Sequence, residues 1–196
     1  MKLKDCLIVI AHKDELNDDF RKLNANLVVT GVGKVNAAYH LTKKLIELKA
    51  QNRLPKYVIN MGSAGSKKYK KGSLVYCYKF VQRDMDCTVF GYEKGQTPGD
   101  FLPLIIEHKK LIENLPDGVC GTGDSFVTTE EVDSRIDVVE MEAYSLAKIC
   151  KLEKIDFIAI KYITDGLDET GHDDWKNEVK SSSDVMYEYL MSLTEA

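Results

Sequence analysis

The sequence predicts an α/β protein, a three-layer α/β/α sandwich around a mixed, mostly parallel central sheet. Short apolar runs rich in β-branched residues alternate along the chain with segments whose apolar residues recur at helical spacing. The run at 155–163 is apolar almost throughout, as is typical of a strand covered on both faces. Repeated alternation of this kind indicates helices packed on both sides of one sheet.

The elements follow in order from these patterns. Strands are predicted at 6–11, 27–30, 57–60, 74–81, 118–121 and 155–163, with 88–90 as a further candidate. Helices are predicted at 14–23, at 36–50, weakly at 101–115, from Glu142 onward and from about 173 to 193. His40 and His108 are expected on the surfaces of two of these helices.

Length and composition indicate an ordinary globular protein. The 196 residues fit a single domain over 1–196, with 44% hydrophobic and 30% charged residues. A net charge of −4 with mixed signs gives no reason to expect binding to nucleic acid or membrane. The basic run at 67–71 is interpreted as a solvated loop between two strands, with a phosphate or RNA contact as the alternative.

The five cysteines indicate a reducing compartment. They are scattered, odd in number and without CxxC spacing, so we expect free thiols in the cytoplasm and no zinc site. The apolar run at 6–11 is too short for a signal peptide, and no stretch approaches the ~20 apolar residues of a membrane helix.

Candidate site residues lie where strands end. Glycine-rich turns at 31–33, 62–65 and 121–124 each follow a predicted strand, Glu142 opens a helix, and Asp165 follows the strand at 155–163. In open α/β sheets, ligands bind at the carboxyl ends of the strands. Two carboxylates at this edge suit a hydrolase that grips a sugar with one acid and protonates a leaving group with the other. The turns lack the full dinucleotide-binding and P-loop patterns, which argues against a nicotinamide cofactor or nucleotide hydrolysis.

Several segments carry a resemblance to a known family. They are TGVGKVNAA at 30–38, VINMGSAG at 58–65, FGYEKGQTPG at 90–99, TGDSF at 122–126, VEMEA at 139–143 and ITD at 163–165, with a weaker AHKDEL at 11–16. Together they resemble the nucleoside phosphorylase/nucleosidase superfamily, most closely its bacterial 5′-methylthioadenosine/S-adenosylhomocysteine nucleosidases. The resemblance implies hydrolysis of adenine nucleosides in methionine salvage, with no metal or cofactor.

The resemblance implies three catalytic carboxyl groups. Asp165 matches the acid that protonates purine N7, and Glu15 matches the carboxylate that activates water. Glu142 matches the residue that holds the ribose hydroxyls. Each also has a structural interpretation: Glu142 could favour a helix dipole, Asp165 could cap a turn, and Glu15 could be a surface acid.

The remaining implied site residues surround the substrate. Met141 and Ser63 match positions near the ribose, Phe126 matches the aromatic residue that stacks on the base, and the Val127 backbone matches the group that reads the purine edge. The other implied positions are Val32, Phe90 and His12 around the 5′ substituent, Lys161 near the water, Trp175 closing the pocket, and Pro98 donated to the pocket of a partner subunit. The last of these implies a homodimer. Phe126 could instead belong to the core, and Trp175 could anchor the last helix.

Three positions differ from the family pattern. His12 stands where the family often has Met, so we hypothesise that this chain tolerates a 5′ group more polar than methylthio. Lys161 stands where many members have Arg, whose planar fork it cannot copy, so water positioning is expected to differ. Cys87 replaces an aliphatic residue.

Other functions stay open at this point. A phosphorylase would need an anion site, usually with arginine, and Arg83 is the candidate for it. A futalosine-type nucleosidase is a further hydrolytic possibility. A catalytically silent nucleoside-binding protein would bind adenine nucleosides without releasing the base.

Overall fold

The computed structural model describes residues 1–23, 26–128, 132–168 and 171–194. The strands of the described chain are β1 (Cys6–Ile10), β2 (Leu27–Val29), β3 (Tyr57–Gly65), β4 (Leu74–Gln82), β5 (Ile105–Glu107), β6 (Asp117–Thr122), β7 (Val138–Glu140) and β8 (Asp156–Asp165). The α-helices are α1 (Asp18–Lys22), α2 (Lys34–Ala50), α3 (Ala143–Glu153) and α4 (Gly171–Thr194). Short 3-10 helices occupy Leu3–Asp5, Lys13–Glu15 and Thr88–Phe90.

All these strands belong to one mixed sheet. Its main path runs in the order β2-β1-β3-β7-β6-β4-β5, and β8 pairs with both β3 and β4. The pairs β1–β2, β1–β3, β3–β8, β4–β6 and β6–β7 are parallel, whereas β3–β7, β4–β5 and β4–β8 are antiparallel. The prediction of a mixed, mostly parallel sheet is therefore confirmed.

Helices cover both faces of the sheet because its strands are apolar on both sides. On β1, Leu7 and Val9 join one core cluster, which includes Leu41 of α2 and Leu146 of α3. The intervening side chain of Ile8 joins a second cluster on the opposite face. That second cluster contains Phe20 of α1 together with Met186 and Leu190 of α4. Successive side chains of a strand point to opposite faces, so a continuous apolar run fits the middle of three layers.

Three predictions about local structure were wrong. Residues 88–90 form a 3-10 helix that ends at Gly91, whose φ is 83°, rather than a strand. Residues 101–115 contain no helix; they include β5, which pairs antiparallel with β4. His108 follows β5 and is buried, with Nε2 2.9 Å from the carbonyl oxygen of Ala147, so it is not a surface residue on a helix.

Other predictions about the surface and the cysteines agree with the structure. The basic run at 67–71 connects β3 to β4, with Lys68 2.8 Å from Asp137 and Lys71 paired with Asp174. Four cysteines, Cys6, Cys77, Cys120 and Cys150, are buried in the core. As a separate finding, none of the helices within the described residues combines the length and the hydropathy of a membrane-spanning segment.

Candidate active site

A cavity of about 290 Å³ opens where the carboxyl ends of three strands meet. Gly65 at the end of β3 pairs with Val139 of β7 and with Asp165 of β8, which brings these strand ends together. Four carboxylates line the cavity: Glu15, Glu140, Glu142 and Asp165. The rest of its lining is mostly apolar and comes from Ala11, His12, Val32, Ser63, Ala64, Gly65, Ser125, Phe126, Val127, Val139, Met141, Thr164, Leu167, His172 and Trp175.

Asp165 ends β8 and is only 3% exposed. Thr164 Oγ1 donates a 2.9 Å hydrogen bond to its Oδ2, and the backbone N–H of Leu167 donates a 3.2 Å bond to its Oδ1. Burial raises the pKa of Asp165 above its ordinary value, although these two hydrogen bonds act in the opposite direction. The carboxyl group is therefore prepared to take up a proton.

Glu142 immediately precedes α3 and is 7% exposed. Its Oε1 accepts a 2.7 Å hydrogen bond from the backbone N–H of Gly33, the residue that precedes α2. Gly33 has a φ of 92°, a conformation that glycine adopts readily and that aims this N–H at Glu142. Burial raises the pKa of Glu142 to about 8, with a further contribution from the charge of Glu140.

Glu15 is held by three hydrogen bonds, two from Ser63 on β3 and one from the neighbouring His12. It lies on the 3-10 helix Lys13–Glu15 and is 3% exposed. Its Oε1 accepts bonds from the backbone N–H of Ser63 at 2.8 Å and from Ser63 Oγ at 2.7 Å, while its Oε2 accepts a 3.0 Å bond from the His12 N–H. Trp175 on α4 donates its indole N–H to Ser63 Oγ at 2.9 Å. Glu15 is therefore a fixed, buried carboxylate and not a surface acid.

Aromatic and apolar side chains form the remaining walls. The ring centroids of His12 and Trp175 are 5.9 Å apart in an edge-to-face arrangement. Phe126 is 46% exposed, so it is not a core residue. A Cβ atom built at Gly171 would lie 3.5 Å from the ring of Phe126 and 3.4 Å from Asp165 Oδ1, so both side chains border the same point.

Two residues predicted for this chain's own pocket, Phe90 and Lys161, lie elsewhere, and so does Pro98, which was predicted for the pocket of a partner subunit. Phe90 is 76% exposed, on the 3-10 helix after β4. Pro98 is also exposed, in the turns that follow. Lys161 is buried, and its Nζ lies 3.0 Å from Glu140 Oε2. None of the three lines the cavity.

The sequence interpretation missed Glu140, which lies at the end of β7 and reaches the cavity. Its pairing with Lys161, 21 positions away, leaves no local pattern in the sequence. His172 and Leu167 also line the cavity and were not predicted. Among the residues that the structure describes, no three His, Cys, Asp or Glu side chains are grouped so that they could hold a metal ion.

Comparisons with known proteins agree with this architecture. The family model of the phosphorylase superfamily matches residues 20–195. A curated 5′-methylthioadenosine/S-adenosylhomocysteine nucleosidase of Exiguobacterium is 33% identical, with 86% of this chain and 79% of that protein covered.

Solved structures show the same fold. A 5′-methylthioadenosine/S-adenosyl homocysteine nucleosidase of Helicobacter pylori superimposes with a TM-score of 0.85 at 20% identity, covering 100% of this chain and 99% of the other. A futalosine hydrolase mutant of the same organism gives a TM-score of 0.84 at 20% identity, covering 97% and 98%. The chain belongs to the phosphorylase superfamily and is a hydrolytic enzyme of the nucleosidase type.

Proposed function

We propose that this protein hydrolyses the N-ribosidic bond of adenine nucleosides such as 5′-methylthioadenosine and S-adenosylhomocysteine in the cytoplasm. The products are adenine and the 5′-substituted ribose. The observation that carries the proposal is one apolar-walled cavity that holds Asp165, Glu142 and Glu15 in three different environments. The reaction needs three different tasks from carboxyl groups, and these environments suit them.

Asp165 is the proposed acid. The ribosidic bond breaks through an oxocarbenium-like state, and adenine leaves more readily once its N7 is protonated. A carboxyl group whose pKa is raised by burial takes up that proton more readily than an exposed one. Phe126 borders the same point of the cavity and is proposed to stack on the base, with the Val127 backbone at the purine edge.

Glu142 is proposed to hold the ribose hydroxyls, with Met141 beside it. Two hydroxyl donors would favour its ionised form and lower its raised pKa when the substrate binds. The resulting negative charge lies next to the sugar, where positive charge develops. Such a charge stabilises the transition state more than the ground state.

Glu15 is proposed to orient and deprotonate the attacking water. Its carboxylate already accepts three hydrogen bonds, so its position is set before the substrate arrives. Ser63 is shared between Glu15 and Trp175, and it links the water site to α4. His12 and Val32 are proposed to contact the 5′ substituent, where the imidazole allows a group more polar than methylthio.

The charges in the cavity favour water over phosphate as the nucleophile. Four carboxylates line it, and within the described ranges its lining includes no arginine or lysine. Arg83, the candidate anion ligand, instead donates from Nη2 to the Gly123 carbonyl at 3.0 Å and from Nη1 to Ser125 Oγ at 3.1 Å. A phosphate dianion would find no arginine or lysine in this described lining to bind it.

A homodimer is part of the proposal. On α2, Val35, Tyr39 and Ile46 are 78%, 59% and 64% exposed, which makes an apolar stripe on the surface. Val89, Phe90 and Phe101 are exposed to a similar degree in the segment after β4, near Pro98 in sequence. Apolar groups in such number are typical of an interface. Ile46→Glu is expected to give a monomer in analytical ultracentrifugation, and a wild-type monomer would contradict this part.

Product analysis tests the function. The purified protein is incubated with methylthioadenosine, with and without phosphate, and adenine and sugar products are separated by chromatography. Free methylthioribose at an equal rate in both samples supports hydrolysis, whereas a sugar 1-phosphate formed only with phosphate would make the enzyme a phosphorylase. Adenosine, S-adenosylhomocysteine and futalosine are run in parallel. Binding of all four without base release would contradict an enzymatic role.

A further inference from the structure

Glu140 and Lys161 form a buried ion pair, and Glu140 is hydrogen-bonded to the backbone of Glu142. Both side chains are 2% exposed, and Lys161 Nζ lies 3.0 Å from Glu140 Oε2. Removing two charges from water costs more than their attraction usually returns, so such a pair adds little to stability by itself. Its place beside the cavity indicates a role in the site, and the proposed function above gives it none.

Glu140 holds the backbone that carries Glu142. Its Oε2 accepts hydrogen bonds from the N–H of Glu142 at 2.9 Å and from the N–H of Ala143 at 2.8 Å. Its Oε1 accepts a hydrogen bond from Thr122 Oγ1, which itself accepts a 2.8 Å bond from the N–H of Tyr144. These are the donors that the start of a helix leaves without partners. Glu142 precedes α3 yet does not cap it, so its own carboxylate is free to face the cavity.

Lys161 balances the charge that this cap introduces. Burial lowers the pKa of Lys161, but the charges of Glu140, Cys120 and Glu142 and the hydrogen bond to Glu140 together hold this pKa above its ordinary value. Burial likewise raises the pKa of Glu140, but Lys161 and the hydrogen bonds from Thr122, Glu142 and Ala143 keep it below its ordinary value. Both groups are therefore charged.

The surroundings of Glu142 contain few other charges. It faces Glu140 on β7, Lys161 on β8 and Glu15 on the 3-10 helix, and it accepts a hydrogen bond from Gly33. The pair itself also faces the thiol of Cys120 on β6, and Glu140 faces Arg83 after β4. Without Lys161, Glu142 would lie beside an unbalanced negative charge.

We propose that Glu140 and Lys161 are positioning residues for Glu142. Glu140 fixes the first turn of α3 and so places Glu142, and Lys161 cancels the charge that Glu140 brings, so that Glu142 can ionise against the ribose. The inference rests on the proposed role of Glu142 at the ribose hydroxyls. Lys161 then acts through Glu140 and does not position the water directly.

Lys161→Met, Glu140→Gln and the double variant test this proposal. In Lys161→Met, the acid limb of the pH profile of kcat/KM should move upward by about one pH unit or more, the size typical of a neighbouring charge. The Kd of methylthioadenosine should rise by at least about tenfold at pH 7, since one pKa unit is a factor of ten. The Kd of adenine, which has no ribose, should stay within about twofold. In Glu140→Gln/Lys161→Met both charges are gone, and the acid limb should return to the wild-type position or below it.

Lys79→Met is the matched control. Lys79 lies on β4 and forms an exposed pair with Glu107 at 3.9 Å, so its loss should leave the pH profile and both Kd values unchanged. The proposal is overturned if Lys161→Met weakens adenine and nucleoside binding equally or if its acid limb does not move. It is also overturned if the double variant loses as much kcat/KM as the two single variants combined.

The proposal can also be tested if Lys161→Met does not fold or if the wild type releases no adenine. If Lys161→Met does not fold, Glu140→Gln should still move the acid limb downward, and an unmoved limb would overturn the proposal. If the wild type binds methylthioadenosine but releases no adenine, the proposed hydrolysis fails, while the ratio of the two Kd values still decides the positioning role. A wild type that binds no nucleoside would overturn both.

Discussion

Substitution of Gly65 by alanine should displace the carboxyl group of Asp165, the proposed acid, without changing Asp165 itself. A Cβ atom at Gly65 would lie 2.5 Å from Asp165 Oδ1 and closer still to Leu167 Cδ2. Real Cβ atoms essentially never come within 3.0 Å of such a neighbour and seldom within 3.4 Å, so the carboxyl group must move by roughly 0.5–1 Å. Leu167 cannot simply give way, because it is 4% exposed and its N–H is bonded to the same Oδ1.

The expected size of the effect follows from that displacement. A misplacement of about 1 Å in a catalytic constellation can cost about 10²-fold in rate. Overpacking of the buried site should also lower the free energy of unfolding by about 1–3 kcal/mol. The assay is initial-rate adenine release from methylthioadenosine, with thermal unfolding measured on the same samples.

Gly171→Ala provides the comparison. Its Cβ would lie 3.4 Å from the same Asp165 Oδ1, an ordinary contact distance, so its activity should stay within about threefold of wild type. If Gly65→Ala also stays within threefold, Asp165 does not need the position that the structure gives it, and the reasoning is refuted.

Three other predictions concern the hydrogen bonds and charges of the site. Ser63→Ala removes the 2.7 Å hydrogen bond to Glu15 and should lower kcat about 10–100-fold, as expected for a hydrogen bond to a charged group. Ser192→Ala on α4 is the control, and equal kcat values for the two variants would contradict the role of Ser63. Trp175→Phe keeps the ring but loses the donor to Ser63 Oγ, so kcat should fall about 2–10-fold, and an unchanged kcat would show that the indole N–H is not needed. The pKa of Glu142 is raised to about 8 in the folded state. Between the ordinary pKa of a glutamic acid and pH 8, the folded protein therefore binds more protons than the unfolded chain. The contribution of Glu142 to stability is lost as the pH rises through that window. Glu142→Gln should therefore raise Tm relative to wild type more at pH 8.5 than at pH 5, and a difference that does not grow with pH would contradict the raised pKa.

The fold could be predicted because individual strands of the sheet are recognisable as local apolar runs in the sequence. The run at 6–11 is apolar over its whole length and the run at 155–163 almost so, and only a central strand buries both faces. The segment 101–115 misled because its apolar residues are spaced almost as in a helix. Pro103 interrupts that spacing, and pairing of Ile105–Glu107 with β4 determines the structure instead. Neither the pairing nor the burial of His108 against Ala147 can be read from neighbouring residues.

The candidate site could be predicted only in part, for a related reason. Glu142 and Asp165 stand at recognisable strand ends, and the structure brings both to one cavity. Glu15 in the charged stretch at 13–15 looks like a surface acid until the N–H groups of His12 and Ser63 are seen around it. Glu140 gave no pattern of its own, because its partners Thr122 and Lys161 come from two other strands.

The most direct test of the whole account is the activity of Asp165→Asn on methylthioadenosine. Asparagine keeps the size of the side chain but cannot supply the proton. General acid catalysis is worth about 10²–10⁴-fold, so kcat should fall by at least about 10²-fold while the Kd of the nucleoside changes by no more than about fivefold. A variant that retains more than about a tenth of the wild-type kcat would contradict Asp165 as the acid, and with it the proposed mechanism of base release.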